Sequence, residues 1–324
     1  MKKLLSILLT LALVLSMSTA VFAEAKKAQP DTSPTITKWY KPLHGVEPGE
    51  TFTYKFQAVS WKDNNGTVSE DVANVPAIDN VTIGFNASSV DQTNSAAIGI
   101  DASKYDLGVY TYEVTEVAGK TAGVTYTTDK LYMVLTIYRD ETNGTHYVAA
   151  MHFQTVSGEK VSTLTNTYDA GSLTIKKLIK GNMAKLDKKF KFTVTLKAPT
   201  GTVLNSTIYA NNAAADGTLS ADKTTYTYTV DLSNNESVTL SNIPAGVTYT
   251  VTEDKENYTS DGGVFSDDTK TISGGDEDKA TFTNTLTSEI DTGINLDSLP
   301  YILLLAVVCV GLFGFLSKKR MMHR

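Results

Sequence analysis

Each half of the chain presents the same three reactive residue types in the same order: Lys38, Glu116 and Asn166, then Lys177, Glu253 and Asn284. Each of them ends a short run in which every second residue is apolar, such as the Tyr-x-Tyr-x-Val-x-Glu run that ends at Glu116. Because the side chains of a strand alternate between its two faces, this spacing predicts that all six lie on apolar faces. Folded proteins rarely bury lysine or glutamate unless the charge is paired.

Burial of these three types together favours a reaction between them. A desolvated lysine becomes a neutral, nucleophilic amine, whereas a desolvated glutamic acid keeps its proton and hydrogen-bonds the asparagine carboxamide. The amine could then attack the carboxamide carbon while the glutamate transfers protons and ammonia leaves. The product is an amide cross-link between two strands. Each glutamate would act once on its own chain, so the sequence does not predict a turnover enzyme.

An unreactive arrangement of the same residues is the alternative. Lysine and glutamate could form a buried ion pair beside a hydrogen-bonded asparagine, or they could reach solvent at strand ends. Repetition of the whole triplet in the same order favours the cross-link over this interpretation.

The elements that must position these residues are short strands. Alternating runs such as TFTYKF (51–56), LYMVLTIY (131–138) and TYTYTV (225–230) recur between Gly, Asn-Gly and Asp-Gly turn signals. No long amphipathic pattern of helical period is found. The sequence therefore predicts an all-β protein, with sandwiches favoured over barrels.

Three sequence landmarks recur in the two halves in the same order: PTITK and LTIKK, GVYTYEVTE and GVTYTVTE, and STLTN and ATFTN. Two tandem domains of one architecture follow from this repeat, over 34–169 and 171–286. A short N-terminal linker, 24–33, precedes the first domain.

Both ends of the chain have the pattern of export and anchoring signals. A basic start, an apolar run and a small-residue cleavage site predict a signal peptide over 1–23. Near the other end, 299–316 is an apolar span followed by a basic tail, which holds the C-terminus in the cytoplasm. The segment 287–324 therefore predicts a membrane stop, and everything upstream of it is exported to the cell surface.

Composition excludes several classes of function. Between Glu24 and Thr292, 23 basic and 34 acidic residues give a net charge of −11, so nucleic acid is not an expected partner. The only cysteine, Cys309, lies in the apolar span, so the exported part cannot use disulfides. The histidines are scattered, and neither metal-ligand spacing nor a phosphate-binding glycine loop is found. We therefore expect no cofactor, no metal site and no enzyme acting on external substrates.

The L-T-x-x-K opening, the V-T-E strand end and the F-T-N finish resemble the isopeptide-forming domains of Gram-positive pilus shaft subunits of the streptococcal T-antigen type. The resemblance covers nearly the whole exported chain in two copies, and it implies immunoglobulin-like, CnaB-type sandwiches. It implies two internal bonds, each with an assisting glutamate: Lys38–Asn166 with Glu116, and Lys177–Asn284 with Glu253.

The same resemblance implies a cell-surface pilus in which neighbouring copies of the chain are joined by a pilus-type sortase. Minor pilins and a host surface ligand are further partners that it allows. The alternative is a wall-anchored adhesin or basal pilin that is never polymerised. Adhesins of similar make carry an extra ligand-binding domain, and no residues remain here for one.

The tail of this family carries a sortase motif that is cut between a threonine and a glycine. The best match here is EIDTG (289–293), which places cleavage between Thr292 and Gly293. Asp291 and the lack of a proline depart from the common LPxTG pattern, which indicates a specialised sortase. The alternative is an ordinary single-span anchor in which the Thr-Gly pair is a coincidence.

A shaft subunit also needs a lysine that attacks the acyl-enzyme formed on its neighbour. The family places this lysine just upstream of the last strand of the first domain, and Lys160 occupies that place after a Ser-Gly turn. Four further lysines are reachable alternatives: Lys26, Lys27, Lys41 and Lys62.

Overall fold

The computed structural model describes residues 34–261, 269–288 and 299–321. The predicted signal peptide and linker lie outside these residues, as do the EIDTG motif and its cleavage position. In the described part, the strands form two β-sandwiches that follow one another along the chain. We call them domain 1 (34–169) and domain 2 (170–288). The predicted all-β sandwich fold is confirmed.

Domain 1 contains eleven strands in its described residues: β1 Thr35–Pro42, β2 Glu50–Asp63, β3 Val68–Ser69, β4 Val81–Phe85, β5 Gln92–Ala97, β6 Gly108–Val117, β7 Val124–Thr125, β8 Leu131–Arg139, β9 His146–Thr155, β10 Lys160–Val161 and β11 Leu164–Tyr168. A single 3-10 turn, Ala102–Lys104, precedes β6. One sheet has the order β5-β1-β11-β7, and the facing sheet has the order β10-β9-β8-β6-β2-β3, with β4 also paired to β2.

Domain 2 repeats this plan with eleven described strands: β12 Ala170–Lys180, β13 Phe190–Lys197, β14 Tyr209–Ala210, β15 Ala213–Ala214, β16 Thr218–Leu219, β17 Thr225–Leu232, β18 Ser237–Pro244, β19 Thr248–Glu253, β20 Thr259–Asp261, β21 Lys270–Thr271 and β22 Glu277–Thr285. Its two sheets have the orders β15-β14-β18-β12-β22-β20 and β16-β17-β13-β19-β21.

The first and last long strands of each domain lie side by side and run in the same direction. β1 pairs in parallel with β11, and β12 pairs in parallel with β22. The second sheet of each domain contributes the strands that face this pair: β2 and β6 in domain 1, and β13 and β19 in domain 2. The two domains therefore share the framework that positions the reactive residues.

Each sandwich encloses a hydrophobic core, to which strands such as β13 contribute alternate residues. In β13, Phe190, Phe192, Val194 and Leu196 are buried, while the residues between them are partly or fully exposed. This alternation is the pattern expected for a strand with one face on the core and one face in water. It fixes the register, because a slip of one residue would turn the phenyl rings outward.

The junction between the domains is closed by one asparagine of domain 2. Asn242 has a φ of 60°, and its Oδ1 accepts a hydrogen bond from the Val46 N–H at 2.8 Å. Its Nδ2 donates to the Val46 carbonyl at 3.0 Å and to the Thr207 carbonyl at 2.9 Å. A parallel bridge between Thr121 and Val203 adds a second contact. The domains are thus held together by backbone groups as well as by the linking chain.

A C-terminal helix, α1 Leu299–Met321, lies beyond the sandwiches. Its segment Pro300–Lys318 is long and apolar enough to cross a membrane. At about 1.5 Å per residue, nineteen residues span roughly 28 Å, close to the thickness of the hydrocarbon core. The helix coincides with the apolar span predicted from the sequence.

Candidate functional site

The three reactive residues of domain 1 meet inside the sandwich because of where their strands lie. Lys38 is on β1 and Asn166 is on the neighbouring parallel strand β11, with Lys38 paired to Leu164. Asn166 is two residues further along, so both side chains point to the same face. Glu116 comes from β6 in the facing sheet and closes the triplet from the other side of the core.

The contacts within this triplet are direct. Lys38 Nζ lies 2.6 Å from Glu116 Oε2, and the two side chains are 0% and 1% exposed. Asn166 Nδ2 donates a hydrogen bond to the other carboxylate oxygen, Glu116 Oε1. The lysine amine and the asparagine amide are therefore gathered around a single glutamate, as the sequence predicted.

Aromatic side chains and two further donors complete the site of domain 1. Lys38 Nζ lies 4.7 Å from the centre of the Phe52 ring and 5.8 Å from that of Tyr54. The Tyr54 hydroxyl donates to Glu116 Oε2 at 2.9 Å. The backbone N–H of Thr127 donates to Asn166 Oδ1 at 2.9 Å. These donors hold the glutamate and polarise the carboxamide carbonyl.

Domain 2 brings its triplet together in the same way. Lys177 on β12 is paired with Phe282, so Asn284 again lies two residues further along the parallel strand. Lys177 Nζ is 2.5 Å from Glu253 Oε1, and these side chains are 0% and 4% exposed. Asn284 Nδ2 donates to the same oxygen, Glu253 Oε1, at 2.9 Å.

The surroundings of the second triplet are more apolar than those of the first. Lys177 Nζ lies 4.4 Å from the centre of the Phe190 ring and 5.9 Å from that of Phe192. Among the described residues, neither Glu253 Oε2 nor Asn284 Oδ1 has a hydrogen-bond partner. The site therefore holds the same reacting groups with fewer polar supports.

Burial prepares both lysines for nucleophilic attack. Desolvation lowers the pKa of Lys38 below its ordinary value, and the hydrogen bond and charge of Glu116 oppose that shift. The pKa of Lys177 is lowered for the same reason and is opposed in the same way by Glu253. Because desolvation is the larger cause in each case, the neutral amine is more accessible than in water.

The remaining lysine candidates differ in their exposure to solvent. Lys160 is exposed on the two-residue edge strand β10, opposite Gln154. Lys41 is partly exposed. The interpretation of Lys62 as reachable is wrong, because its residue is only 6% exposed. β2 continues to Asp63, and a register shift between Ala58 and Ser60 pairs Trp61 with the core residue Tyr110, so Lys62 is buried on the other face of the sheet. Lys26 and Lys27 lie outside the described residues.

Sequence reasoning missed the supports of the first site. Tyr54 occupies the same alternating position in TFTYKF that Phe192 occupies in KFTV, so comparison of the repeats could have revealed this difference. The donor at Thr127 is a main-chain N–H, which the residue type does not reveal. In the described part of the chain, no group of three or more His, Cys, Asp or Glu residues is arranged to hold a metal ion.

The fold and the paired sites define the class: an all-β protein of two tandem sandwiches, each with a buried Lys–Glu–Asn triplet. Comparison with known families supports this class. Residues 35–169 match the Spy0128-like isopeptide containing domain, and residues 171–286 match a domain of unknown function (DUF7601).

Individual relatives lead to a more specific relationship. The chain is 29% identical over 296 residues to a pilin of Streptococcus pyogenes serotype M1, covering 84% of this chain and 86% of the relative. The solved major pilin T3.2 of S. pyogenes serotype GAS13637 has a similar fold, with a TM-score of 0.50 and 21% identity over 78% of this chain and 98% of its own. Another solved S. pyogenes major pilin gives a TM-score of 0.50 and 22% identity, covering 79% of this chain and 100% of its own. These findings confirm the predicted relationship to Gram-positive pilus shaft subunits.

Proposed function

We propose that this chain is a structural subunit of a covalent cell-surface pilus and that it stabilises itself by two internal isopeptide bonds. One bond joins Lys38 to Asn166, and the other joins Lys177 to Asn284. The observation that carries the proposal is the duplicated triplet, fully buried in both domains with a glutamate between the amine and the carboxamide. Burying a lysine and a glutamate costs free energy even when they are paired, so their presence in both cores favours a chemical role.

The reaction follows from the contacts. A proton passes from the lysine ammonium to the glutamate, which leaves a neutral amine and a neutral acid. The amine nitrogen bonds to the asparagine Cγ, and the carboxamide oxygen takes up the electron pair of the C=O bond. The acid protonates Nδ2 and the resulting carboxylate takes the surplus proton from the attacking nitrogen. The C–Nδ2 bond then breaks, ammonia departs, and an amide joins the two strands.

The fold supplies what this slow reaction needs. The parallel pairing holds amine and carboxamide side by side, which converts a bimolecular encounter into an internal one. The aromatic rings of β2 or β13 exclude water, so the proton transfers occur in a medium of low dielectric constant. The glutamate ends as the neutral acid, with the proton that came from the lysine, and the amide bond does not revert. The reaction is therefore a single maturation event.

The positions of the chain ends suit head-to-tail assembly. β22 runs parallel to β12 and away from the junction, so Ser288 lies at the end of domain 2 that is remote from domain 1. A strand of eleven residues such as β12 rises about 36 Å at roughly 3.3 Å per residue. Cleavage between Thr292 and Gly293 would create the donor at this remote end. Lys160 would supply the acceptor in domain 1 of the next copy.

A concave surface lies next to the proposed acceptor. A cleft of about 670 Å³ opens between loop 127–131 and turn 155–157, and Val161 is among its lining residues. We propose that this cleft receives a short extended segment of the neighbouring copy close to Lys160. A pilus-type sortase would carry out the joining, and α1 would hold the precursor in the membrane until then. An adhesin or a basal pilin is not favoured, because the relatives with matching length are pilins.

The intact mass of the exported chain, Glu24 to Thr292, tests the internal bonds. Each bond expels one ammonia, so the parent should be about 34 Da lighter than its sequence mass, and Glu116→Ala and Glu253→Ala should each be about 17 Da lighter. An unshifted parent mass would mean that the triplets are unreacted ion pairs.

Polymerisation tests the external bond separately. Co-expression of the full chain with its pilus-type sortase should give a ladder of species that survives boiling in detergent. Lys160→Ala should abolish the ladder, and Lys41→Ala, which changes another partly exposed lysine of domain 1, should leave it intact. A ladder that persists in Lys160→Ala would assign the joining role to a different lysine.

A further inference from the structure

The two triplets differ in which carboxylate oxygen of the glutamate contacts the lysine and which contacts the asparagine. In domain 1, Glu116 Oε2 receives Lys38 Nζ and the Tyr54 hydroxyl, while Oε1 receives Asn166 Nδ2. In domain 2, Glu253 Oε1 lies 2.5 Å from Lys177 Nζ and accepts a hydrogen bond from Asn284 Nδ2. The other oxygen, Glu253 Oε2, has no hydrogen-bond partner among the described residues.

This difference matters for proton transfer. After the amine has attacked, the lysine nitrogen carries a surplus proton and the departing Nδ2 lacks one. A carboxylic acid whose proton is on the oxygen at Nδ2 can give that proton to Nδ2 and take the surplus proton at its other oxygen in a single step. A carboxyl group that meets both partners through one oxygen must first give its proton to Nδ2 before the same oxygen can take the surplus proton.

Tyr54 is the group that keeps the carboxyl of Glu116 in its divided orientation. Its hydroxyl can donate to the carboxylate before the transfer and can accept from the carboxylic acid afterwards, so it suits both protonation states. The corresponding residue of domain 2 is Phe192, which faces Glu253 in the same strand pairing and has no polar atom.

A second support acts on the reacting carbonyl. The Thr127 N–H donates to Asn166 Oδ1 at 2.9 Å, the atom on which negative charge develops when the amine attacks. Fixed donors at such positions act most strongly in the transition state, and loss of one typically slows a reaction by roughly 100-fold or more. The corresponding atom of domain 2, Asn284 Oδ1, has no partner in the described part of the chain.

We propose that Tyr54 is a positioning residue for cross-linking and that, together with the Thr127 N–H, it makes the bond of domain 1 form faster than the bond of domain 2. The inference rests on the proposed internal bonds and states in which order they form. Domain 1 matures first, and domain 2 completes its bond later from an already folded state.

The test follows bond formation in time. The chain Glu24 to Thr292 is isolated unfolded in urea, shown by its mass to be unreacted, folded by dilution and quenched in acid at intervals for intact-mass measurement. Glu253→Ala prevents the bond of domain 2, so the loss of 17 Da by this variant measures bond formation in domain 1. Glu116→Ala measures bond formation in domain 2 in the same way. We expect the reaction of domain 1 to be at least about 10-fold faster.

Two further variants isolate Tyr54. In the Glu253→Ala background, Tyr54→Phe should slow the mass loss several-fold. The folding rate of domain 1, followed by the fluorescence of Trp39 and Trp61, should not change. In the Glu116→Ala background, Phe192→Tyr should accelerate the mass loss of domain 2. If Tyr54 only supported the fold, Tyr54→Phe would not slow the mass loss while leaving the folding rate of domain 1 unchanged. Phe192→Tyr would then not accelerate the mass loss of domain 2.

The outcomes separate the two proposals. If the parent loses 34 Da but the two backgrounds react equally fast, or Tyr54→Phe reacts as fast as its background, the order of maturation is wrong and the cross-links stand. If no variant loses mass at any time, the proposed function is wrong as well.

Discussion

The two domains place the same chemistry in different surroundings. Both hold a lysine, a glutamate and an asparagine on the first strand, a facing strand and the last strand, and both place two aromatic rings against the lysine. Domain 1 adds a hydroxyl and a backbone N–H, whereas in domain 2 the oxygens Glu253 Oε2 and Asn284 Oδ1 accept no hydrogen bond from the described residues. The comparison separates what the reaction requires from what adjusts its rate. A dry pocket and three side chains form the common part.

The largest effect should come from removing the bonds themselves. Asn166→Ala and Asn284→Ala each abolish one bond and keep its Lys–Glu pair. The bonds close loops of about 130 and about 110 residues, so a chain-entropy estimate gives a loss near 5 kcal/mol for each. Urea unfolding followed by circular dichroism measures both. Because loop length and not site polarity sets this term, the two losses should agree within about 1 kcal/mol; a much larger gap would break the comparison.

A smaller effect should reveal the different supports. Lys38→Met and Lys177→Met also abolish a bond, and in addition they leave a glutamate buried without its counter-ion. Relative to the asparagine variants, this costs a further amount of about 3 kcal/mol, the scale for a broken buried pair. Domain 2 should lose more, because Glu116 keeps its hydrogen bond from Tyr54 while Glu253 has no such donor. Equal losses in urea unfolding would show that Tyr54 contributes nothing to the charge.

Domain 1 should also respond to pH through a group outside its triplet. Burial raises the pKa of Glu47 from 4.5 to about 7. The folded state then binds a proton between these values that the unfolded chain has lost, so stability is full below pH 4.5 and declines as pH rises to about 7. The decline is at most about 3 kcal/mol.

Thermal unfolding of Asn166→Ala between pH 4.5 and 7.5 measures this decline without interference from the bond of domain 1. Glu47→Gln is the matched control, since it stays neutral and should flatten the profile. An unchanged slope in Glu47→Gln would place the pH dependence elsewhere.

The smallest predicted effect concerns the contact between the domains. Weakening this contact should let each domain unfold separately, so that the stabilities of the two domains can be compared directly. Asn242→Gly accepts the backbone φ of 60° but removes three hydrogen bonds across the junction, two with Val46 and one from Tyr168, and it should cost about 2 kcal/mol of coupling between the domains. Calorimetry of Asn166→Ala/Asn284→Ala with and without this change should show one transition resolving into two. Asn242→Ala should cost about 1 kcal/mol more, since alanine is strained at that φ.

Much of the site was visible in the sequence because strand alternation is a local rule. Parity alone placed Lys38 with Ile36 and Glu116 with Val114, and the structure buries them together. The rule could not place Lys62, because β2 extends to Asp63 and a register shift between Ala58 and Ser60 reverses the faces of the residues that follow.

What parity could not supply was anything that depends on which strands become neighbours or on the path of a loop. The hydrogen bond from Tyr54 to Glu116 needs the pairing of β2 with β6, and that from Thr127 needs the path of a loop. Neither is a property of a single strand. The junction contact of Asn242 with Val46, 196 positions apart, is also beyond any local pattern.

The parallel pairing of first and last strands determines how the molecule responds to being pulled. With copies joined at Lys160, as proposed, tension enters domain 1 at β10, passes along β11 into β12, and leaves domain 2 through β22. Once the proposed bond of domain 2 ties β12 to β22, the load crosses from Lys177 to Asn284, and the strands between them carry almost none. Without that bond, the 110 or so residues between Lys177 and Asn284 could extend to roughly 390 Å at about 3.5 Å each. With the bond in place, that length of chain cannot extend under tension, so the fibre would transmit force as a nearly inextensible cord.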